Sequence, residues 1–212
     1  VVHYNWHWFW RWGTGEICNN GTHEIDICRW ALGVEFPTRV TSSGGRYHFD
    51  DDWECPDTQV ASFEFEDGAT ITWEGRSCNG RPIEGRGRGA SIHGTEGTVV
   101  MDRSGYVIYD KENNEISRRV RGMAVDALDT RGGGSLTDLH ITNFLDCITD
   151  GSGLNAPIEG GHKSQLLCHL GNIAQRTEGA IACDPQTGRI IGHPAAMRLW
   201  DREYEPGWEP TV

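Results

Sequence analysis

The sequence lacks an excess of positive charge, a long apolar run and closely paired cysteines. Its 19 Lys and Arg residues against 31 Asp and Glu residues give a net charge of −12. Because a nucleic-acid-binding protein needs a basic surface, this balance argues against such a partner. No apolar run approaches the roughly 20 residues that span a bilayer. The sequence therefore predicts a globular domain with neither a nucleic-acid partner nor a membrane segment.

The seven cysteines are dispersed along the chain, and no two of them form a CxxC pair. An odd, scattered set is typical of buried, reduced thiols rather than of a disulfide framework, and the ligand spacing of a structural zinc site is missing. The stretch HEID at residues 23–26 begins like the HExxH motif of zinc proteases, but Ile27 stands where the second histidine would be. We therefore predict no metal site.

The length of 212 residues fits a single domain over residues 1–212. The chain opens on Val1 rather than Met, which indicates the later part of a longer protein whose targeting signals precede it. The cysteine usage favours a cytoplasmic location, and export of the folded protein by the twin-arginine route is the alternative.

Hydrophobic patterning predicts one helix, then several strands, then further helices. The first helix runs from about Thr22 to Leu32 after a Gly- and Asn-rich turn, with Thr22 as its N-cap and Gly33 as its C-terminal stop. Strands are predicted in residues 38–45, three more in residues 90–110, and helices in residues 136–151 and 158–179. This order predicts an α+β fold with an open, mostly antiparallel sheet and helices packed on one face.

A β-hairpin is predicted over residues 58–77, with Asp67 and Gly68 in its turn. Ala61 and Phe63 alternate with Val60 and Ser62, so one face is expected to be packed and the other exposed to water. The stretch GRGRGA at residues 85–90 matches the dinucleotide fingerprint only formally, because it leads into a predicted strand instead of a helix. We therefore predict no nucleotide-binding half in this chain.

The aromatic stretch YNWHWFWRW at residues 4–12 alternates strictly, with tryptophans at every second position from Trp6 to Trp12. If this segment is extended, its indole rings share one face. Two interpretations remain open: the aromatics pack onto the domain, or they form a stacking surface for sugar rings.

Residues 12–33, WGTGEICNNGTHEIDICRWALG, resemble the C-terminal domain of the Gfo/Idh/MocA oxidoreductases, the glucose–fructose oxidoreductase and inositol dehydrogenase family. The hairpin and the stretches IHGTEGTVVM, HITNFLDCITDG and HLGNIAQRTEG continue the resemblance in the same order. The resemblance implies an N-terminal Rossmann domain in the parent protein, which binds NAD or NADP, followed by this domain. It also implies that the domain contacts a sugar or polyol substrate and forms a homo-oligomer through its exposed sheet face.

Members of this family oxidise a secondary hydroxyl, and the resemblance matches the family's histidine in this helix to His23. Histidine suits removal of the hydroxyl proton because its pKa lies near neutral pH. The aspartate that commonly precedes it by four residues is replaced by Asn19, which can position a ring or a hydroxyl but carries no charge. Glu16, Glu24 and Asp26 are nearby carboxylates that could supply the negative charge that Asn19 lacks.

The resemblance thus assigns His23 and Asn19 to catalysis. The candidate substrate-binding residues are Trp8, Trp10, Trp12, Asn20 and His162. Without the cofactor domain, the chain alone is expected to be inactive. Two alternatives remain: an NAD-dependent glycosidase of the same fold, and a non-enzymatic carbohydrate-binding or assembly module.

Overall fold

A computed structural model describes residues 3–120 and 134–210. The helices in these ranges are α1 (Thr22–Leu32), α2 (Gly134–Asp150), α3 (Ile158–Arg176) and α4 (Pro194–Met197). The strands are β1 (Arg39–Gly45), β2 (Thr58–Glu64), β3 (Thr70–Arg76), β4 (Ala90–His93), β5 (Thr98–Asp102), β6 (Gly105–Tyr109), β7 (Glu115–Val120), β8 (Ala180–Cys183) and β9 (Ile190–Ile191).

The strands form two antiparallel sheets. One has the order β3-β2-β1-β8-β9 and the other the order β4-β5-β6-β7, and every pairing between these described strands is antiparallel. The predicted α+β class with open antiparallel strand pairing is confirmed, but the described strands form two sheets where one was predicted. Strands β7, β8 and β9 were not predicted.

The chain divides into two compact units. The first comprises Val1–Arg81 and Lys163–Val212, and the second comprises Pro82–His162. The five-stranded sheet, α1, α4 and most of α3 belong to the first unit, whereas the four-stranded sheet and α2 belong to the second.

The core of the first unit lies between its sheet and its helices. Phe63 of β2 and Leu170 of α3 are fully buried. A Cβ atom on Gly171 would lie 2.7 Å from Cδ1 of Ile17 and 3.4 Å from Cζ of Phe63, so the absence of a side chain lets α3 approach the sheet closely. The helices of this unit therefore cover one sheet face, as predicted.

The predicted hairpin is present as β2 and β3. Phe63 pairs with Ile71 in its register, and the turn contains Gly68 at φ +88°, where glycine is favoured. The Asp67 carboxylate accepts a 2.9 Å hydrogen bond from the Ala69 N–H. Ala61 and Phe63 are buried while Val60 is 39% exposed, which confirms the predicted alternation of faces.

The start of the first helix differs from the prediction. Residues 15–32 are helical without interruption, and Ile17–Gly21 forms a π-helical turn instead of a loop. Thr22 is therefore not the N-cap, and its hydroxyl lies 2.8 Å from the Cys18 carbonyl within the helix. Gly21 is required there because a Cβ atom would lie 2.7 Å from Nε1 of Trp73. The helix ends as predicted, with Gly33 left-handed at φ 69°.

The aromatic segment is not extended, so the prediction of a shared indole face was wrong. Asn5–Trp8 forms a 3-10 helix, and the Gly13 N–H donates a 2.7 Å hydrogen bond to the Phe9 carbonyl. A Cβ atom on Gly13 would lie 2.4 Å from the His7 carbonyl oxygen. The chain therefore folds back on itself, and this close backbone approach overrides the alternating pattern.

Two further predictions concern the cysteines and the glycine-rich stretch. All seven cysteines are free, and Cys55, Cys168 and Cys183 are buried. The stretch at residues 85–90 leads into β4 and not into a helix, as predicted. Within residues 3–120 and 134–210, no helix is long and apolar enough to cross a membrane.

Candidate functional site

The π-helical turn places two predicted site residues against one carboxylate. The Asn20 amide donates a 2.5 Å hydrogen bond to Oε1 of Glu16, and the Asn19 amide lies 3.4 Å from Oε2 of the same residue. All three side chains are half-buried. Because the amide nitrogens face Glu16, its negative charge lies next to the position where the family commonly carries an aspartate.

Glu16 was indicated by the sequence as one of three nearby carboxylates but was not assigned to the site. Its link to Asn19 and Asn20 follows from helical spacing of three and four residues. That signal was available only if GEICNNG had been interpreted as helix, and its Gly and Asn content favoured a turn.

His23 lies in the first turn of α1, about one helical turn after Asn19, and its side chain is exposed. Asp26, a nearby carboxylate in the sequence, is engaged elsewhere: its Oδ1 accepts a 2.5 Å hydrogen bond from the Ser164 hydroxyl and lies 3.8 Å from the Arg29 guanidinium. The Asp26 carboxylate therefore links α1 to α3.

The three predicted pocket tryptophans have separate surroundings. Trp8 stacks on Trp53 with 5.1 Å between ring centroids. The Arg176 guanidinium lies 4.8 Å from the ring of Trp10, within cation–π range. Trp12 is 51% exposed. The alternating spacing of the three tryptophans therefore does not place their indole rings on one shared face. Part of each side chain is still accessible to solvent.

The later histidines of α3 differ in burial. His162 is exposed and belongs to the second unit. His169 belongs to the first unit and is half-buried, and burial lowers its pKa. Residues of the first unit are brought together around the start of α1.

A polar cluster joins the π-helical turn to α3. The Thr22 hydroxyl lies 2.8 Å from Oε1 of Gln165 and 3.6 Å from Sγ of Cys168. The Asn172 amide donates to the Thr14 carbonyl at 2.6 Å and lies 3.5 Å from Sγ of Cys18. The sequence did not reveal this cluster, because its halves are separated by about 150 residues.

A separate cleft of about 340 Å³ lies in the second unit and contains none of the predicted site residues. Its polar lining includes His93, Thr98, Asp110 and Lys111. The Asp110 carboxylate accepts hydrogen bonds from the backbone N–H and the side-chain amide of Asn114. This cleft is therefore a feature of the second sheet and its turns.

The first unit is defined by an antiparallel sheet with helices on one face and a polar cluster at the start of α1. Residues 2–100 match the family model of the GFO/IDH/MocA C-terminal domain. The resemblance seen in the sequence is confirmed over these residues. No curated protein sequence matches the chain.

Several solved oxidoreductase structures share the fold. Levoglucosan dehydrogenase, in complex with NADH and levoglucosan, is 17% identical with a TM-score of 0.63, over 84% of this chain and 53% of that one. An oxidoreductase from Agrobacterium radiobacter, bound to NAD+, L-tartaric acid and magnesium, is 13% identical with a TM-score of 0.60, over 79% and 48%.

The WlbA dehydrogenase from Bordetella pertussis, in complex with NADH and UDP-GlcNAcA, is 16% identical with a TM-score of 0.54, over 86% of this chain and 49% of that one. The chain thus spans about half the length of these three structures. At such identities, the likeness establishes the fold.

Proposed function

We propose that this chain is the substrate-binding C-terminal domain of an NAD(P)-dependent oxidoreductase that acts on a sugar or cyclitol hydroxyl. The observation that carries this proposal is the Glu16, Asn19 and Asn20 cluster, placed one turn before an exposed histidine in a family-matched segment. Three structural relatives bind NAD+ or NADH together with levoglucosan, UDP-GlcNAcA or tartaric acid. Their ligands support a polyhydroxylated substrate.

In this proposal, the residues of the π-helical turn position a substrate hydroxyl. The Asn19 amide nitrogen faces Glu16, so its carbonyl oxygen serves as an acceptor for a hydroxyl or an imidazole N–H. Glu16 supplies the negative charge that Asn19 lacks. Hydrogen bonds that involve a charged group contribute about 1.5–3 kcal/mol against about 1 for neutral ones.

His23 accepts the hydroxyl proton as the substrate is oxidised. Its exposed position in the first turn of α1 lets the ring reach a ligand bound outside the helix, and histidine is the side chain that most often transfers a proton in such a step. We assign Trp8, Trp10, Trp12 and Asn20 of the first unit to substrate contacts in the parent protein, and the substrate-binding role of His162 in the second unit stays a separate prediction.

The stretch that formally matches a dinucleotide fingerprint does not have the context that a dinucleotide needs. The glycine-rich stretch at residues 85–90 leads into β4, so it lacks the helix N-terminus that would bind a pyrophosphate. NAD or NADP is assigned to a Rossmann domain of the parent protein, and the chain by itself is expected to be inactive.

The test is a steady-state assay of the parent protein with NAD+ or NADP+ and a panel of sugars and cyclitols, comparing wild type with His23→Ala. Loss of the proton acceptor is expected to lower kcat by about 10²–10⁴-fold. Retention of the wild-type kcat by His23→Ala would contradict the catalytic assignment.

His140→Ala is the matched control, because His140 is also an exposed helical histidine but lies on α2. It is expected to keep the wild-type kcat. Glu16→Gln tests the positioning role: it keeps the size of the side chain but removes the charge beside Asn19. A rise in KM and a fall in kcat that is smaller than for His23→Ala are expected.

A second candidate function is a non-enzymatic carbohydrate-binding module. The exposed indoles favour it, because Trp6 is 45% and Trp12 is 51% exposed, and flat aromatic faces stack on sugar rings. Saturable binding of a sugar by this chain, together with a parent protein that does not reduce NAD+ or NADP+, would support this function over the oxidoreductase.

The proposed homo-oligomer would form through the exposed face of the five-stranded sheet. Side chains such as Val60, Thr70, Thr72 and Glu74 lie on that solvent-exposed side. Sedimentation of the parent protein and of a Val60→Glu variant would test this assignment, because a charge in the interface should shift the protein towards the monomer.

A further inference from the structure

Cys18 and Cys168 form a thiol pair between the π-helical turn and α3. Thr22 and Asn172, each one helical turn after one of the two cysteines, contact the sulfur of the other cysteine. The Thr22 hydroxyl lies 3.6 Å from Sγ of Cys168, and the Asn172 amide lies 3.5 Å from Sγ of Cys18, so these two contacts bring the π-helical turn and α3 together at the two cysteines.

The two thiols differ in accessibility. Cys168 is fully buried at 0% exposure, whereas Cys18 is half-buried. Both belong to the first unit, on segments that pack against the same core. A small oxidant would therefore meet Cys18 first, with Cys168 already in place as the resolving partner.

The polar surroundings favour a charged sulfur at Cys18. The hydrogen bond from Cys168 lowers the pKa of Cys18 against the opposing effect of burial, and a second bond from Thr14 acts in the same direction. The pKa of Cys168 is raised by the same pairing and by burial. By contrast, burial raises the pKa of Cys28 to about 11 and that of Cys55 to about 12.

From this geometry we propose that Cys18 and Cys168 are a site of reversible oxidative modification, at which hydrogen peroxide converts the two thiols to a disulfide. The Cys18 thiolate attacks one peroxide oxygen, which breaks the O–O bond and releases hydroxide that is protonated to water. The sulfur of Cys168 then attacks the resulting sulfenic acid, an S–S bond forms, and a second water leaves with the Cys168 proton. Two thiols and one peroxide thus give one disulfide and two waters.

The modification is independent of the proposed oxidoreductase function but lies beside its site. Cys18 immediately precedes Asn19, so the disulfide would tie the turn that carries Asn19 and Asn20 to α3. This would restrict any movement of those amides relative to the helix.

The test uses the 212-residue chain, fully reduced, treated with hydrogen peroxide and blocked with N-ethylmaleimide before peptide mass spectrometry. A cross-linked peptide pair containing Cys18 and Cys168 is expected, and dithiothreitol should remove it. Cys18 recovered as its maleimide adduct or as sulfinic acid, with Cys168 unlinked, would overturn the proposal, as would a dominant cross-link between other cysteines.

Variants distinguish the resolving role from bulk oxidation. In Cys168→Ser the cross-link should be absent, and the Cys18 sulfenic acid should persist and be trapped by dimedone. Cys28→Ser is the control, because Cys28 is another half-buried thiol of the same helical segment, and it should retain the wild-type cross-link. If Cys168→Ser does not fold, the wild-type peptide map alone decides the question.

Discussion

The two compact units bury their apolar side chains to very different extents. In the first unit, Phe63, Leu167 and Leu170 are fully buried between sheet and helices. In the second unit, Phe144 and Ile148 of α2 are 53% and 66% exposed. The buried apolar residues in the described part of the second unit are Ala90, Val100 and Val107.

This difference shows what an amphipathic pattern determines. Both α2 and α3 were predicted as helices from apolar spacing, and both are helical. Leu170 and Ile173 of α3 are buried, but the apolar stripe of α2 is not. Periodicity therefore predicts the local conformation, whereas burial depends on whether the unit supplies a complementary surface.

The largest expected effect comes from truncating one phenylalanine in each unit. Phe63→Ala removes a fully buried ring and should lower the free energy of unfolding by about 3–5 kcal/mol. Phe144→Ala removes a ring that is 53% exposed and should change stability by about 0.5 kcal/mol or less. Urea unfolding followed by circular dichroism measures both. Equal losses in the free energy of unfolding would show that Phe144 of α2 is buried in solution. The difference in burial between the two units would then not hold.

A second, smaller loss of stability is expected when either of two carboxylates that accept hydrogen bonds from loop backbone N–H groups is replaced. Asp57, only 4% exposed in the first unit, accepts hydrogen bonds from the backbone N–H groups of Tyr47, His48 and Phe49 at 3.0, 3.0 and 3.3 Å. Asp57→Asn should cost about 1–3 kcal/mol because charged hydrogen bonds are replaced. Asp110→Asn, at an exposed turn of the second unit, should cost less in the same urea titration.

The hydrogen bonds to Asp57 also lead us to expect that the free energy of unfolding depends on pH. Burial alone would raise its pKa, but the hydrogen bonds from His48, Thr58, Phe49 and Tyr47 together hold the pKa below its usual value. The stabilisation is therefore fully present above about pH 4, the usual aspartate pKa, and is lost as the pH falls through the lowered folded-state pKa. Asp57→Asn should remove this part of the loss of stability at acid pH. If the free energy of unfolding depends on pH in the same way in wild type and variant, the stabilising role of the Asp57 hydrogen bonds is contradicted.

Local signals accounted for the parts of the fold that depend on neighbouring residues. The Asp67–Gly68 turn and the alternation of Ala61 and Phe63 suffice to predict the hairpin, and Gly33 ends α1 because only a left-handed residue closes the helix there. These features need no knowledge of distant chain segments.

Features set by distant contacts could not be predicted. The π-helical turn depends on Gly21 against Trp73, and a pattern of Gly and Asn alone favours a loop. The predicted assignments of His23 and Asn19 came from the family resemblance, and they stay predictions. The Cys18–Cys168 pair required α3 to lie beside the π-helical turn, which no local spacing indicates.

The smallest expected effect tests whether the interior of the first unit shields α3 in solution. Burial lowers the pKa of His169, so the folded protein favours the neutral ring. The unfolded chain takes up its proton near the usual pKa of about 6.5. The free energy of unfolding should therefore fall as the pH drops below about 6.5, and it should level off below the folded-state pKa.

His169→Gln keeps a polar side chain that does not titrate, so it should flatten this part of the pH profile. Urea unfolding of wild type and variant at pH 8 measures the packing difference alone, because the ring is neutral in both states there. The difference at pH 5, after that correction, isolates proton binding. A corrected difference of zero would mean that His169 is as accessible to water as the side chains of α2. The difference in burial between the two units would then not include the part of α3 that carries His169.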